Sequence, residues 1–394
     1  MDFVRWAREL AGSIAPETVA PGFMERLLVA AAPTEARPER TIAAPYYLTD
    51  LGVRSFEDPA RFLSLHADAL EWQLPSAEES ARLLLALPIA DLADHLDAFV
   101  LLTGDYDTAA AAVRAREAEI AGSGLHRLQL FAGVLMAAVG DVCCRRLLDA
   151  AAVAAHAPTD MFMARHRRAA AEIKRFGSAR TGLTMLDELD RQMAGATQGQ
   201  ALSDGDLRAL LSVTANLRAL AFLMLKDWAR AEAEIARSRE LATLTDLRAV
   251  RLEESSRYAA QENINLAQML IKDGDGARAV TTLEENVEFC REHAADYLSE
   301  ALSALAYAQF LHGEHRVAAR TAAEAASRVA EEASPVRLQV AREIRIAALA
   351  GAGDSGGAAE ELHRMERDPL GLELSRADVL AAARSSDVPN ATRR

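Results

Sequence analysis

The stretch that most constrains the fold of this chain is residues 263–291, where two amphipathic patterns flank a glycine-rich turn. Small and large apolar residues recur on each side at the three- and four-residue spacing of a helix. Gly274 and Gly276 tolerate positive φ, so the first helix can end and the chain can reverse within a few residues. The stretch therefore predicts a helical hairpin. Its apolar positions are Leu266, Ala267 and Leu270 before the turn and Ala279, Leu283 and Val287 after it.

Turns of the same kind recur along most of the chain. Most pair a glycine with an acidic residue and precede small apolar residues, as in Gly104-Asp105-Tyr106 before Ala109 and Val113. Such regular recurrence indicates an array of similar hairpins. The turns are centred on residues 104, 140, 177, 226, 274, 313 and 353, which are 36, 37, 49, 48, 39 and 40 residues apart.

This pattern resembles the tetratricopeptide repeat, a helix-turn-helix unit of about 34 residues that stacks into solenoids. The resemblance covers residues 90–370 and implies an all-α fold, a right-handed α-solenoid of about seven hairpins. The spacing here is wider than that period, so several helices are predicted to be longer than usual. The array is also similar to the sensor domains of bacterial peptide-responsive regulators.

The predicted organisation has an irregular start and an irregular end. Five prolines between positions 16 and 45 leave room for little helix, which favours an N-terminal cap, with a functional arm as the alternative. A stretch rich in Gly, Gln and Ser predicts a loop or hinge between two helical halves. The predicted segments are a cap or arm at 1–60, helical repeats at 61–191, a loop at 192–206, helical repeats at 207–370, and a capping helix with a disordered tail at 371–394.

Composition supports helix and limits the possible partners. Aromatic residues make up only 5% of the chain, and no sustained period-two alternation predicts a strand. The formal net charge of −14 disfavours nucleic acid and anionic membranes, because both require a basic surface. Lysine occurs at only three positions while arginine is abundant, a bias typical of GC-rich bacterial genomes.

The sequence contains no targeting signal that we recognise and predicts a cytoplasmic protein. The first ten residues carry four charges, so they cannot form the apolar core of a signal peptide. The longest apolar run, 128–139, is too short to span a bilayer and predicts a buried helix. Three cysteines give no disulfide framework, and we expect reduced thiols.

No motif of a known catalytic or cofactor site occurs, so we predict no catalytic residue, no cofactor and no metal. His312 and His315 flank a turn and lack further nearby donors, so a surface turn is favoured over a metal site. Cys143 lies in apolar surroundings that would not activate a thiolate. An enzymatic site between the N-terminal segment and the groove remains an alternative. It would draw on Tyr46, Tyr47, His66, Trp72 and His95.

The resemblance also locates a candidate binding surface. In tetratricopeptide arrays the first helix of each hairpin lines a concave groove that binds extended peptides. Asparagine is a mediocre helix former, so Asn263 and Asn265 within one helix require a reason. Peptide contact and internal bridging are both open for Asn265, and bridging is favoured for Asn263. The candidate peptide-binding residues are Asn216, Gln261, Asn265, Gln268, Lys272, Ser303 and Tyr307.

The sequence therefore predicts a scaffold that binds a protein or peptide ligand and acts as an adaptor, sensor or assembly factor. We expect no nucleic-acid partner and no membrane partner. A structural homodimer, formed by pairing of the terminal Leu- and Ala-rich hairpins, is a further possibility.

Overall fold

The computed structural model describes residues 3–13, 24, 27–28, 31, 76–103, 105–198, 202–243, 254–331 and 335–374. Every regular element within these ranges is helical, which confirms the all-α prediction. The chain forms two compact units. The first comprises Met1–Ser13 with Glu25–Glu262, and the second comprises Ile14–Met24 with Asn263–Arg394. The loop predicted at 192–206 lies inside the first unit.

The first unit is built from consecutive helices that pack against one another. Their apolar faces supply its core, which includes Phe99, Leu135 and Phe162. The helices are α1 Phe3–Ser13, α2 Ala77–Ala86, α3 Leu92–Thr103, α4 Tyr106–Ala115, α5 Glu117–Gly122, α6 His126–Ala138, α7 Cys144–Ala154, α8 Pro158–Lys174, α9 Ala179–Gln198, α10 Asp204–Met224 and α11 Trp228–Thr243.

The second unit continues the same pattern of neighbouring helices. Helix α12, Glu254–Lys272, crosses the division between the units. Ala267 and Ala279, the small residues on either side of the turn at Gly274, are both buried. After α12 come α13 Gly276–His293, a short 3₁₀ turn Ala295–Tyr297, α14 Leu298–Leu311, α15 His315–Glu331, α16 Pro335–Gly351 and α17 Ser355–Arg367.

The predicted glycine turns owe their shape to a double cap. Gly274 has φ of +83°, and the next amide, that of Asp275, donates to the carbonyl of Leu270 at 2.8 Å. The carboxylate of Asp275 then accepts from the amide of Arg278 at 3.2 Å, at the start of α13. One Gly-Asp pair therefore ends one helix and begins the next. Positive φ also occurs at Gly140, Gly177, Gly313 and Gly353, which confirms these predicted turns.

Two predicted features differ from the structure or lie outside its described part. Helix α9 continues to Gln198 and α10 begins at Asp204, so the predicted loop at 192–206 is largely helical and that prediction was wrong in extent. A glycine inside a helix costs only about 1 kcal/mol relative to alanine, so Gly195 does not by itself end α9. Helix α1 lies within the predicted cap or arm. The proposed C-terminal capping helix and most of the N-terminal cap lie outside the described residues.

Among the described residues one helix, α10, is long and apolar enough to cross a membrane. However, 67% of its apolar window is buried inside the structure, as expected of a core helix that packs against α9 and α11.

Candidate functional site

Four of the seven predicted binding residues form a row along α12. Gln261, Asn265, Gln268 and Lys272 are spaced by four, three and four residues, so they share one face of the helix. Gln268 and Lys272 are exposed, whereas Gln261 and Asn265 are half-buried. We call these four residues the amide row. Gln268 and Lys272 form its exposed end.

Two further predicted binding residues, Ser303 and Tyr307, lie on α14. Tyr307 is 50% exposed and Leu311, one turn further on, is 48% exposed. The hydroxyl of Ser303 donates to the carbonyl of Ser299 at 2.9 Å. Its proton is therefore already used in a hydrogen bond within α14. We call Ser303, Tyr307 and Leu311 the α14 face. It offers the phenol ring of Tyr307 and the aliphatic side chain of Leu311 to solvent.

Helix α16 lies beside α14 and extends the surface near the α14 face. The two helices are in contact, and the guanidinium of Arg337 pairs with the carboxylate of Glu300 at 3.0 Å. On α16 the amide of Gln339 donates to the carboxylate of Glu343 at 2.8 Å. The helices α14 and α16, which open two successive hairpins, are therefore adjacent.

The remaining candidate, Asn216, is buried. Only 6% of this residue is exposed, in the middle of α10, which packs against α8, α9 and α11. A side chain so enclosed contacts neighbouring helices and not solvent. The sequence pattern could not reveal this, because three separate helices supply the cover.

Asn263 bridges two helices, as the sequence favoured. Its amide nitrogen donates to the side-chain oxygen of Asn286 on α13 at 2.9 Å, and both residues are buried. The bridge uses only the donor of Asn263, because its side-chain oxygen has no hydrogen-bond partner among the described residues. This hydrogen bond confirms the bridging interpretation of Asn263.

A polar network missed by the sequence analysis joins α10, α11 and α12. The hydroxyl of Ser238 donates to the backbone carbonyl of Ser212 at 2.6 Å, and its oxygen lies 3.1 Å from the Ser212 hydroxyl. Ser238 is also hydrogen-bonded to Glu262 Oε1. All three side chains are almost wholly buried. The sequence held a weak indication that Glu262 is buried, because it lies two turns before the buried Met269 on the same face of α12.

Burial controls the chemistry of this glutamate. Desolvation raises the pKa of Glu262 to about 8, and hydrogen bonds from Ser238 and Ser212 with the charge of Arg239 only partly oppose it. Glu262 is therefore mostly a neutral acid at pH 7. Its Oε2 has no hydrogen-bond partner among the described residues, and with no exposed surface it cannot reach a dissolved substrate.

Other candidate chemistry is equally enclosed or inert. Desolvation raises the pKa of Cys143 to about 12 and that of Cys144 to about 11, so neither is a ready thiolate. His312 packs over Gly276, where an added Cβ would lie 2.9 Å from its Nδ1. Within the described ranges no group of three or more His, Cys, Asp or Glu side chains could hold a metal. His95, from the alternative enzymatic site, packs edge-on against Phe3 with ring centroids 6.4 Å apart.

Comparison with known proteins does not extend these observations. No protein-family model matches the chain, and no curated protein has significant similarity to it.

Proposed function

We propose that this protein is a cytoplasmic scaffold that binds a protein or peptide along the first helices of its hairpins. In this proposal the hairpins are repeats of the tetratricopeptide kind, arranged as a right-handed solenoid. The observation that carries the proposal is the α14 face, where Tyr307 and Leu311 expose about half of their surface on a first helix.

The side chains suit a peptide ligand. A tyrosine gives a large contact area at low entropic cost, and its hydroxyl can bond a backbone group. Gln268 offers both a donor and an acceptor, the pairing that an extended backbone requires. Lys272 adds a positive charge at the end of the amide row. Together they supply an apolar anchor, a backbone contact and a charged contact.

The surface suits a modest affinity. Tyrosine is a common hot-spot residue, and truncating one typically costs about 1–3 kcal/mol of binding free energy. Because the helices are packed before the ligand arrives, little ordering entropy opposes binding.

The proposal is tested by selecting peptides from a random display library on the full chain. The test variant is Gln268→Ala with Tyr307→Ala, and the matched control is Glu284→Ala with Leu362→Ala, on second helices. Leu362 is 43% exposed, which is close to Tyr307.

We expect selected peptides to lose at least tenfold in affinity for the test variant and to keep their affinity for the control. Both variants should retain the helical circular dichroism of the wild type. Equal affinity for all three proteins, or failure to select any peptide, would contradict the proposal.

A further inference from the structure

The turn between α10 and α11 exposes three large apolar side chains close together in sequence. Met224 is 45% exposed, Leu225 is 39% exposed and Trp228 is 41% exposed, all within five residues. We call Met224, Leu225, Lys226 and Trp228 the α10–α11 tip. Large apolar side chains gathered at one exposed turn are typical of a contact surface.

The backbone of this tip is strained where the other turns are relaxed. Lys226 has φ of +61°, and it is the one non-glycine with positive φ in the described part of the chain. The turn is otherwise of the same design, since the amide of Asp227 donates to the carbonyl of Phe222 at 2.9 Å. A lysine in this conformation is less stable than a glycine. Strain of this kind often marks a residue kept for its side chain. Glycine occupies the same register at positions 140, 274, 313 and 353.

The charge at the tip opposes that of the whole chain. Lys226 is exposed and has no ion-pair partner among the described residues. The Arg230 guanidinium lies 4.9 Å from the Phe222 ring centroid, with a side chain 69% exposed, and pairs with Asp227 at 2.5 Å. Two cations against one carboxylate leave a local charge of +1, whereas the chain carries −14.

We propose that the α10–α11 tip is a second docking surface, for an acidic peptide segment with aliphatic or aromatic anchors. Trp228 and Met224 would cover the anchors, and the Lys226 ammonium would pair with a carboxylate of the segment. This surface lies in the first unit and does not depend on the α14 face. An anionic membrane offers similar chemistry, but the net charge of −14 makes a protein segment the better fit.

The experiment uses the full chain and a random 12-residue display library, with vesicles of phosphatidylserine and phosphatidylcholine as a second probe. The two test variants are Lys226→Gly and Trp228→Ser. The matched control is Val142→Ser. Val142 occupies the position in the α6–α7 turn that Trp228 occupies in the α10–α11 turn, and it is 60% exposed. Gln268→Ala with Tyr307→Ala separates this surface from the proposed groove.

We expect one class of selected peptides to be rich in Asp, Glu and apolar anchors and to weaken at least fivefold with either tip variant. Binding of this class should be unchanged by the control and by the groove variant. Lys226→Gly should lower affinity while raising the melting temperature, which a purely structural role for Lys226 would not produce.

Three outcomes would overturn the proposal. The first is that no selected peptide responds to the tip variants, even if others respond to the groove variant. The second is that the responding peptides are not acidic. The third is that the tip variants alter vesicle binding instead, which would identify a membrane contact.

Discussion

Glu262 in the first unit and Glu361 in the second are both buried, but their charges are neutralised in opposite ways. Glu262 in the first unit lies among two serine hydroxyls and is mostly protonated at pH 7. Glu361 in the second unit is 1% exposed and lies beside Arg342, Arg345 and Arg364. One site therefore buries a neutral acid and the other buries a cluster of ions.

The ionic site also orders the end of the described chain. Arg342 is fully buried, and its Nη1 donates to the backbone carbonyl of Asp368 at 2.6 Å. The Asp368 carboxylate accepts from the amides of Leu372 and Glu373 at 2.8 and 3.2 Å. Gly371 fits where a Cβ would lie 2.6 Å from a Leu338 methyl. The chain after α17 is thus held against α16.

The comparison shows that buried charge requires a buried partner. When either partner of a buried ion pair is removed, the other remains as an ion with neither solvent nor a counter-ion. A neutral acid avoids this at low pH but resists ionisation at high pH. The two sites should therefore respond differently to mutation and to pH.

The largest expected effect is that of Arg342→Ala. The substitution leaves Glu361 and Asp368 without their buried cation and creates a cavity, so the free energy of unfolding should fall by about 4 kcal/mol. Urea denaturation at pH 7 measures it, with the exposed Arg367→Ala as control. A loss below about 1 kcal/mol would show that water or other groups replace the guanidinium.

The next effect should come from Glu262→Gln and depends on pH. The folded pKa of about 8 exceeds the ordinary 4.5, so the wild type holds a proton that the unfolded chain releases between these values. The corresponding stability is present below pH 4.5 and is lost as pH rises through 8. Glutamine cannot ionise, so the variant should gain about 3 kcal/mol over the wild type between pH 5 and pH 9. Parallel stability curves for the two proteins would refute the neutral-acid assignment.

Ser238→Ala should have a smaller effect. It removes the hydroxyl that bonds both the Ser212 carbonyl and Glu262, and the expected loss of unfolding free energy is about 1–2 kcal/mol. Thermal unfolding at pH 6 is the measurement, and Ser303→Ala, whose hydroxyl bonds only its own helix, is the matched control. Equal shifts for the two variants would mean that the network adds nothing beyond a local hydrogen bond.

The smallest effect is expected at the outer edge of the ionic site. Arg345 pairs with Glu361 at 2.7 Å but keeps 24% of its side chain exposed. Arg345→Ala should therefore reduce stability by about 1 kcal/mol or less, and 0.5 M salt should remove most of the difference. A loss comparable with that of Arg342→Ala would show that both arginines belong to one indivisible cluster.

Much of the fold could be predicted from local pattern. The Gly-Asp pairs at 140–141, 274–275 and 353–354 predict turns because a glycine in positive φ and an acceptor at the next residue act within a few residues. Ser76 and Glu79 likewise predict the start of α2, where the Glu79 amide donates to the Ser76 hydroxyl at 3.2 Å.

The candidate site was less predictable. Of the residues selected by helical spacing, Gln268, Lys272 and Tyr307 are exposed. It also selected Asn216, which is buried, and it overlooked Glu262 and Lys226. The strain at Lys226 is backbone conformation, and a Lys-Asp pair in sequence does not reveal that the lysine has adopted the glycine position.

By itself, the sequence determined that the chain is helical, where most hairpins turn and which residues begin and end their helices. These features depend on contacts within one turn of the chain, and the residues that make them are neighbours in sequence. Only the tertiary structure decided that Glu262 is a neutral acid, that Arg342 is buried among carboxylates and that Asn216 is enclosed. Each of those outcomes requires side chains from two or more helices, separated by 19 residues or more along the chain, and burial there sets the charge.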